Sequence, residues 1–222
     1  MNFADLWKAT YETLLMTLIT TVAAYLVGIP LGVLLHTTSK NGLHPNKPVN
    51  IVLGVLVNIL RSVPCMLLII LLFPFTRAVF KRGTGEWYTM LIPLFFASFP
   101  FVSRLVEQSL SEVDKSEIEV VRSMGASDWQ IITKVLLSEA KPSLIGGLAV
   151  SAISILGYTS FAYDFGAGGL IASAFSFFSS HTTTYLSYWN VWVIVLIIVV
   201  IVQLLQEAGL YISRKTDKRR VS

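Results

Sequence analysis

The feature that most constrains this chain is an uncharged run of 22 residues, from Leu14 to Leu35. As an α-helix this run would be about 33 Å long, which matches a hydrocarbon core of roughly 30 Å in a bilayer. Charged residues make up only 14% of the 222 residues and apolar residues 54%. A soluble domain carries roughly 25% charged residues, and a disordered chain is poor in apolar ones. The sequence therefore predicts a membrane protein, and a single cysteine, Cys65, excludes a disulfide-stapled fold.

Four further apolar segments are candidates for crossing the membrane. The second is interrupted only by Arg61, and the third is shorter and contains two prolines. A β-barrel would show alternating segments of about ten residues, so we expect an all-α fold with five spans. The predicted membrane body covers residues 11–206, with spans at 14–35, 49–73, 87–102, 143–163 and 189–205 and a long polar loop at 104–142. A basic tail follows at 207–222.

The basic residues are distributed unevenly between the two sides of the predicted membrane. Five spans place the termini on opposite sides, and a cytoplasmic C-terminus puts twelve Lys and Arg residues inside and four outside. Such an excess marks the cytoplasmic side. The same orientation places Trp7, Trp87, Trp189 and Trp192 at the outer boundary, where amphipathic rings collect. We therefore predict a multi-pass protein of the cytoplasmic membrane with its N-terminus outside.

The loop at 104–142 is too polar to insert and too patterned to be a linker. Ser116 and Glu119 have the spacing of a capping box, which predicts the start of a short helix. The apolar residues of this helix are expected on one face, available to a partner: Ile118, Val121 and Met124. Gly125 is expected to end the helix in a left-handed conformation.

A second short helix is predicted over residues 129–137, capped by Ser127 or Asp128. A helix, a glycine turn and a helix can also form a DNA-reading motif. The loop lies between two membrane spans, and its acidic residues offset the basic ones, so we expect no nucleic acid partner.

Residues 119–140, EVVRSMGASDWQIITKVLLSEA, resemble the cytoplasmic loop of importer permeases of the ATP-binding-cassette class. In that loop E-A-A is followed by three residues and a glycine, and then by nine residues and I-x-L-P. Glu119 and Gly125 match at this spacing, whereas valines replace the two alanines and Ser138 replaces the proline. The resemblance implies that an ATPase docks on four residues: Glu119, Met124, Gly125 and Ala126.

Two further segments are similar to the methionine importer branch of these permeases. They are residues 57–77, VNILRSVPCMLLIILLFPFTR, and the framing residues of 157–170, GYTSFAYDFGAGGL. The resemblance implies a homodimer, two cytoplasmic ATPase subunits that bind ATP and Mg²⁺, and an extracytoplasmic substrate-binding protein or lipoprotein. It implies a transport subunit and not an enzyme, and the chain shows no catalytic set, metal-ligand spacing or phosphate loop.

The remaining candidate residues lie within the spans. Arg61 is a charge inside the second span, and such charges usually face a cavity or a partner, so contact with a substrate is one interpretation. Pro64 frees the carbonyl of Leu60, which a guanidinium could occupy, and we therefore favour a role in structure or gating for both residues. An apolar site with few polar groups suits methionine, and the exit of the fourth span offers that mixture. Its candidate pathway residues are Tyr158, Ser160, Phe161, Tyr163 and Asp164.

The expected function is import of an amino acid, with methionine as the first expectation. A permease for another amino acid or a short peptide is the alternative within the same class. An ion-coupled carrier or a channel without an ATPase is the alternative from a different class.

Overall fold

The computed structural model describes residues 3–82, 84–179 and 185–217, and within these ranges the regular elements are all helical. The first half contains α1 (Phe3–Thr38), α2 (Lys47–Ser62), α3 (Cys65–Phe80), a 3₁₀ turn (Trp87–Met90) and α4 (Leu91–Ser111). The polar loop contains α5 (Lys115–Ser123), α6 (Asp128–Gln130), a π-helical segment (Ile131–Leu136) and α7 (Leu137–Glu139). The last part contains α8 (Lys141–Tyr158), a 3₁₀ segment (Thr159–Phe165), α9 (Leu170–Ser179) and α10 (Tyr185–Thr216).

Four helical segments are long and apolar enough to cross a membrane: Phe3–Thr38, Trp87–Ser111, Lys141–Phe165 and Trp189–Thr216. They contain the first, third, fourth and fifth predicted spans, and each extends beyond the predicted limits. The third continues to Ser111, so the loop begins later than its polarity indicated. The fifth continues through residues 207–216, which the sequence assigned to the tail, and the chain beyond residue 217 lies outside the described residues.

The second span is not one helix. Helices α2 and α3 are apolar enough to form a span together, but their axes differ in direction by 102°. The break falls at Val63 and Pro64, where Val63 is extended (φ −80°, ψ 122°). Proline has no N–H to donate, and its ring disfavours a helical conformation at the preceding residue. The span predicted at 49–73 is thus divided between two helices, and five spans remain if this bent pair makes one crossing.

Close helix packing in the body depends on small residues. Gly28 and Gly32 are four residues apart on α1, and a Cβ added to either would overlap α4 at Val102 or Val106. This small-xxx-small spacing brings membrane helices together at short range. On α8 the small residues Ala149, Ser151 and Ala152 are buried in the same way. Gly209 of α10 lies against Ala149, and a Cβ added to the glycine would overlap the alanine.

Two buried clusters support the parts of the chain that carry the candidate site residues. The loop cluster joins α1 and α4 to the polar loop through these residues: Ala24, Tyr25, Leu43, Val102, Val106, Leu110, Val113, Ile131, Leu136 and Ala140. The turn cluster lies beneath the 3₁₀ segment and consists of Met16, Ile69, Met90, Leu94, Ala162 and Ala167.

Candidate functional site

Helix α5 of the polar loop begins earlier than its sequence predicts. The Ser116 backbone N–H donates to Oδ1 of Asp114 at 2.9 Å, and Asp114 is the N-cap, with an extended backbone. Ser116 is already inside the helix. The predicted capping box of Ser116 and Glu119 is therefore wrong, because Asp114 is the N-cap and its carboxylate accepts from the Ser116 N–H.

The end of α5 confirms the prediction for Gly125. Its φ is +83°, in the left-handed region that favours glycine. The Gly125 N–H donates to the Arg122 carbonyl at 3.0 Å, and the Ala126 N–H donates to the Val121 carbonyl at 3.3 Å. These two bonds form a Schellman motif, which satisfies the last carbonyls of the helix and fixes the direction of the following chain.

A capping box starts the next helical stretch at Ser127, one of the two predicted caps. The Gln130 N–H donates to Ser127 Oγ at 3.4 Å, and the Ser127 N–H donates to Gln130 Oε1 at 2.9 Å. Asp128, the other predicted cap, instead pairs with His44, whose Nε2 lies 2.9 Å from Asp128 Oδ2. This contact ties the α1–α2 connection to the loop.

The apolar residues of the loop face in two directions. Ile118 and Val121 pack against the loop cluster, whereas Met124 is 81% exposed. The expectation that Met124 shares their face is wrong, because steps of three residues drift by about 60° around a helix and Met124 is two steps from Ile118. Val120 and Trp129 are also exposed, at 58% and 74%.

Only three of the four predicted ATPase-docking residues are exposed on the surface of the loop. Glu119, Met124 and Gly125 are exposed, while Ala126 packs partly buried against the loop cluster. We name Glu119, Val120, Met124, Gly125 and Trp129 the loop surface. Val120 and Trp129 were not predicted. The available signal was that both are apolar residues in an otherwise polar loop.

The five candidate pathway residues lie in or next to the 3₁₀ segment, but their surroundings differ. Tyr158 and Phe161 pack against the turn cluster, and the ring of Tyr163 stacks on Phe175 with centroids 4.6 Å apart. Ser160 is half-buried. Asp164 is exposed and makes no hydrogen bond or ion pair with the described residues.

The glycine-rich turn that follows is held by α1. Gly169 N–H donates to Glu12 Oε2 at 3.1 Å, and Leu170 N–H donates to Thr13 Oγ1 at 2.9 Å. Gly168 has a φ of +74°, and a Cβ there would overlap the Glu12 carboxylate. Glu12 and Thr13 of α1 thus hold the start of α9 together, and the sequence alone did not indicate this role.

A charged group joins α2 to α4 at the broken span. Arg104 pairs with Glu107 at 2.6 Å and donates to the Gly54 carbonyl at 3.2 Å and to Asn58 Oδ1 at 3.0 Å. Arg104 was predicted to lie in the loop, and its contact with α2 was not predicted. Arg61 is exposed and makes no hydrogen bond or ion pair with the residues described, so it does not occupy the carbonyls freed by Pro64.

Comparison with known proteins defines the class first. Residues 28–217 match the family described as the binding-protein-dependent transport system inner membrane component. This range is most of the chain, so the protein belongs to that family and is a transport subunit, as the loop motif predicted.

Particular relatives narrow the class. The chain is 41% identical over 170 residues to a probable D-methionine transport system permease protein, MetI, of Vibrio cholerae, covering 77% of this chain and 75% of the relative. It is 44% identical over 171 residues to a methionine import system permease protein, MetP, of Bacillus subtilis, covering 77% and 76%. It also matches a solved inward-facing structure of the MetNI methionine ABC transporter with a TM-score of 0.90 and 30% identity, over 97% of this chain and 99% of that one. An amino acid ABC transporter with 18% identity and a TM-score of 0.76 supports the fold alone.

Proposed function

We propose that this chain is the permease subunit of an ATP-driven importer that carries methionine across the cytoplasmic membrane. The observation that supports this most directly is its similarity, at 41% and 44% identity, to two permeases named for methionine. Family membership makes the chain a component of a binding-protein-dependent transporter. The fold suits that role, since it has four apolar spans, a bent pair that can form a fifth, and a structured polar loop.

The proposed assembly is a homodimer with two ATP-binding subunits and an extracytoplasmic binding protein. Five spans are few to enclose a pathway, and twofold pairing is the commonest way to complete one. The broken span also offers many exposed apolar side chains to lipid or to a second copy, among them Val52, Leu56, Leu67 and Leu71. ATP and Mg²⁺ would be bound by the partner ATPase, which supplies the energy.

The loop surface is the proposed ATPase contact. Its apolar members Val120, Met124 and Trp129 are exposed, while the backbone beneath them is fixed by a Schellman motif and a capping box. Ile131 and Leu136 anchor the same loop in the loop cluster with Val106 of α4. A displacement of the loop by closing ATPase subunits would therefore move α4 and α8 with it, which is what alternating access requires.

Within the pathway we propose different roles for the candidate residues. Asp164, which is exposed and without a described partner, would meet the ammonium group of the substrate, and Ser160 would line the same region. Tyr158, Phe161 and Tyr163 would shape the wall through their packing. The break at Pro64 is the proposed point at which α2 and α3 move relative to each other.

The test is uptake of labelled methionine by vesicles that contain this chain, its ATPase and its binding protein. We expect uptake only with ATP on the side of the loop, and inhibition by unlabelled methionine. Asp164→Asn should lower the rate if this carboxylate meets the substrate, and an unchanged rate would contradict that contact.

The alternatives give different results in the same vesicles. Uptake that persists without the ATPase and follows an ion gradient would favour the carrier or channel. Competition by another amino acid or a dipeptide, but not by methionine, would change the substrate and leave the transporter class intact.

A further inference from the structure

We propose that Arg61 lines the pathway and binds the carboxylate of the amino acid as it passes the break between α2 and α3. This rests on the proposed function, since it assumes that an amino acid crosses here. It adds a residue that recognises the charged end of the substrate, and with it a preference for substrates that carry a free carboxylate.

Arg61 is the last member of a polar stripe on α2. The stripe consists of Lys47, Asn50, Gly54, Asn58 and Arg61, at successive spacings of three, four, four and three residues. Residues three and four apart share one side of a helix. Arg61 lies about 21 Å along the axis from Lys47, well inside the predicted span. The next residues, Val63 and Pro64, form the break.

The central members of the stripe are engaged by neighbouring helices, and Arg61 is not. Asn50 donates to the Leu35 carbonyl of α1 at 2.8 Å. The Gly54 carbonyl and the Asn58 side chain both accept from Arg104. Arg104 in turn is neutralised by Glu107. Arg61 is the charged member of this stripe that lies inside the span. Its guanidinium is exposed and has no partner among the described residues.

A guanidinium in that position is not stable against lipid. Charged side chains inside a membrane face a cavity or a partner, because hydrocarbon does not solvate them. The broken backbone beside Arg61 leads to the same conclusion, since non-helical backbone at membrane depth is tolerated where it is covered by protein or lines a water-filled space. We infer that the exposed end of the stripe faces the space between two copies of the chain.

The chemistry of the site fits an amino acid carboxylate. A guanidinium offers paired N–H donors that match the two oxygens of a carboxylate. Glu107 already neutralises Arg104, so the net positive charge near the break belongs to Arg61. In a twofold assembly each copy would contribute one Arg61 to the same pathway.

The first experiment compares methionine with methioninol, in which a hydroxymethyl group replaces the carboxyl group. Uptake is measured in vesicles holding the whole complex, with the binding protein saturated by either ligand. Because the same binding protein serves every variant, its own preference cancels when variants are compared. Arg61→Gln should lower methionine uptake by about tenfold or more, the loss typical of a hydrogen bond to a charged group, and should change methioninol uptake by less than about twofold. Arg214→Gln, an exposed arginine at the far end of α10, is the matched control and should change neither.

The second experiment restores the charge and needs no analogue. Arg61→Cys in a Cys65→Ser background is treated with a thiol reagent that adds an ammonium group or with a neutral reagent of similar size. Only the ammonium adduct should restore methionine uptake, by several fold, and Arg61→Gln treated in the same way should not respond.

Four other outcomes would overturn the inference about Arg61. An equal loss of both substrates, or rescue by either reagent, would assign Arg61 a structural role. A cysteine at position 61 that does not react would show that the position does not face water. Unchanged uptake by Arg61→Gln would exclude the contact. Absence of methionine uptake by the unmodified complex would contradict the proposed function instead, so the two failures are distinguishable.

Discussion

Gly125 determines the path of the chain at the loop surface. Its φ of +83° is one that a β-branched residue strongly disfavours, at a cost of about 1 kcal/mol or more. A Cβ at this position would meet no neighbouring atom within 4 Å, so the strain would come from the backbone alone. We predict that Gly125→Val inserts normally but binds the ATPase weakly, or lets it hydrolyse ATP without transport.

Co-purification of the ATPase and the ratio of transport to hydrolysis would measure this effect. Gly125→Asn is the matched control, because asparagine tolerates the left-handed region better than valine and should retain most of the coupling. Normal transport by a well-expressed Gly125→Val protein would show that coupling does not depend on the left-handed conformation at this position.

At the scale of single elements, α5 offers a direct test of its cap. Asp114→Ala removes the acceptor of the Ser116 N–H, and loss of such a cap costs about 1 kcal/mol. We expect the amides of α5 to exchange with solvent about fivefold faster in this variant, measured by hydrogen exchange with mass spectrometry. Ser116→Ala keeps the backbone N–H and should leave exchange unchanged. Faster exchange in Ser116→Ala than in Asp114→Ala would instead support the capping box of Ser116 and Glu119.

The elements also show which features a sequence determines. The spans follow from hydropathy, because a bilayer sets both the length and the polarity of a crossing helix. The end of α5 was predicted because one residue, Gly125, decides it, whereas the start of the next helix was predicted only as Ser127 or Asp128. The cap of α5 was missed because Asp114 and Ser116 both suit an N-cap, and the choice depends on where the preceding helix ends. Proline indicated a disturbance at Pro64, but the 102° bend depends on how α3 packs on α4.

Tertiary contacts explain what was missed in the candidate site. Arg104 and Glu12 are ordinary charged residues in the sequence, and their roles appear only when α2 and α9 are placed beside them. The outward direction of Met124 depends on the face that the loop cluster buries. Conversely, the GxxxG spacing of Gly28 and Gly32 was present in the sequence and was a usable signal for close packing.

For the whole molecule, the charge asymmetry and the broken span can be tested together. Lys47 and Arg82 flank the α2–α3 pair, and both side chains are exposed. If the pair makes one crossing, these residues lie on opposite sides of the membrane, and if the pair turns back they lie on the same side. The excess of basic residues places Lys47 and the loop residue Lys115 in the cytoplasm and Arg82 outside.

Single cysteines at these three positions, in a Cys65→Ser background, should therefore differ in intact cells. We expect a membrane-impermeant thiol reagent to label position 82 and to leave 47 and 115 unlabelled until the cells are permeabilised, when all three should react. Labelling of 47 and 115 but not 82 would reverse the orientation. Equal behaviour of 47 and 82 would show that the bent pair does not cross, which would leave four spans and place both termini on one side of the membrane.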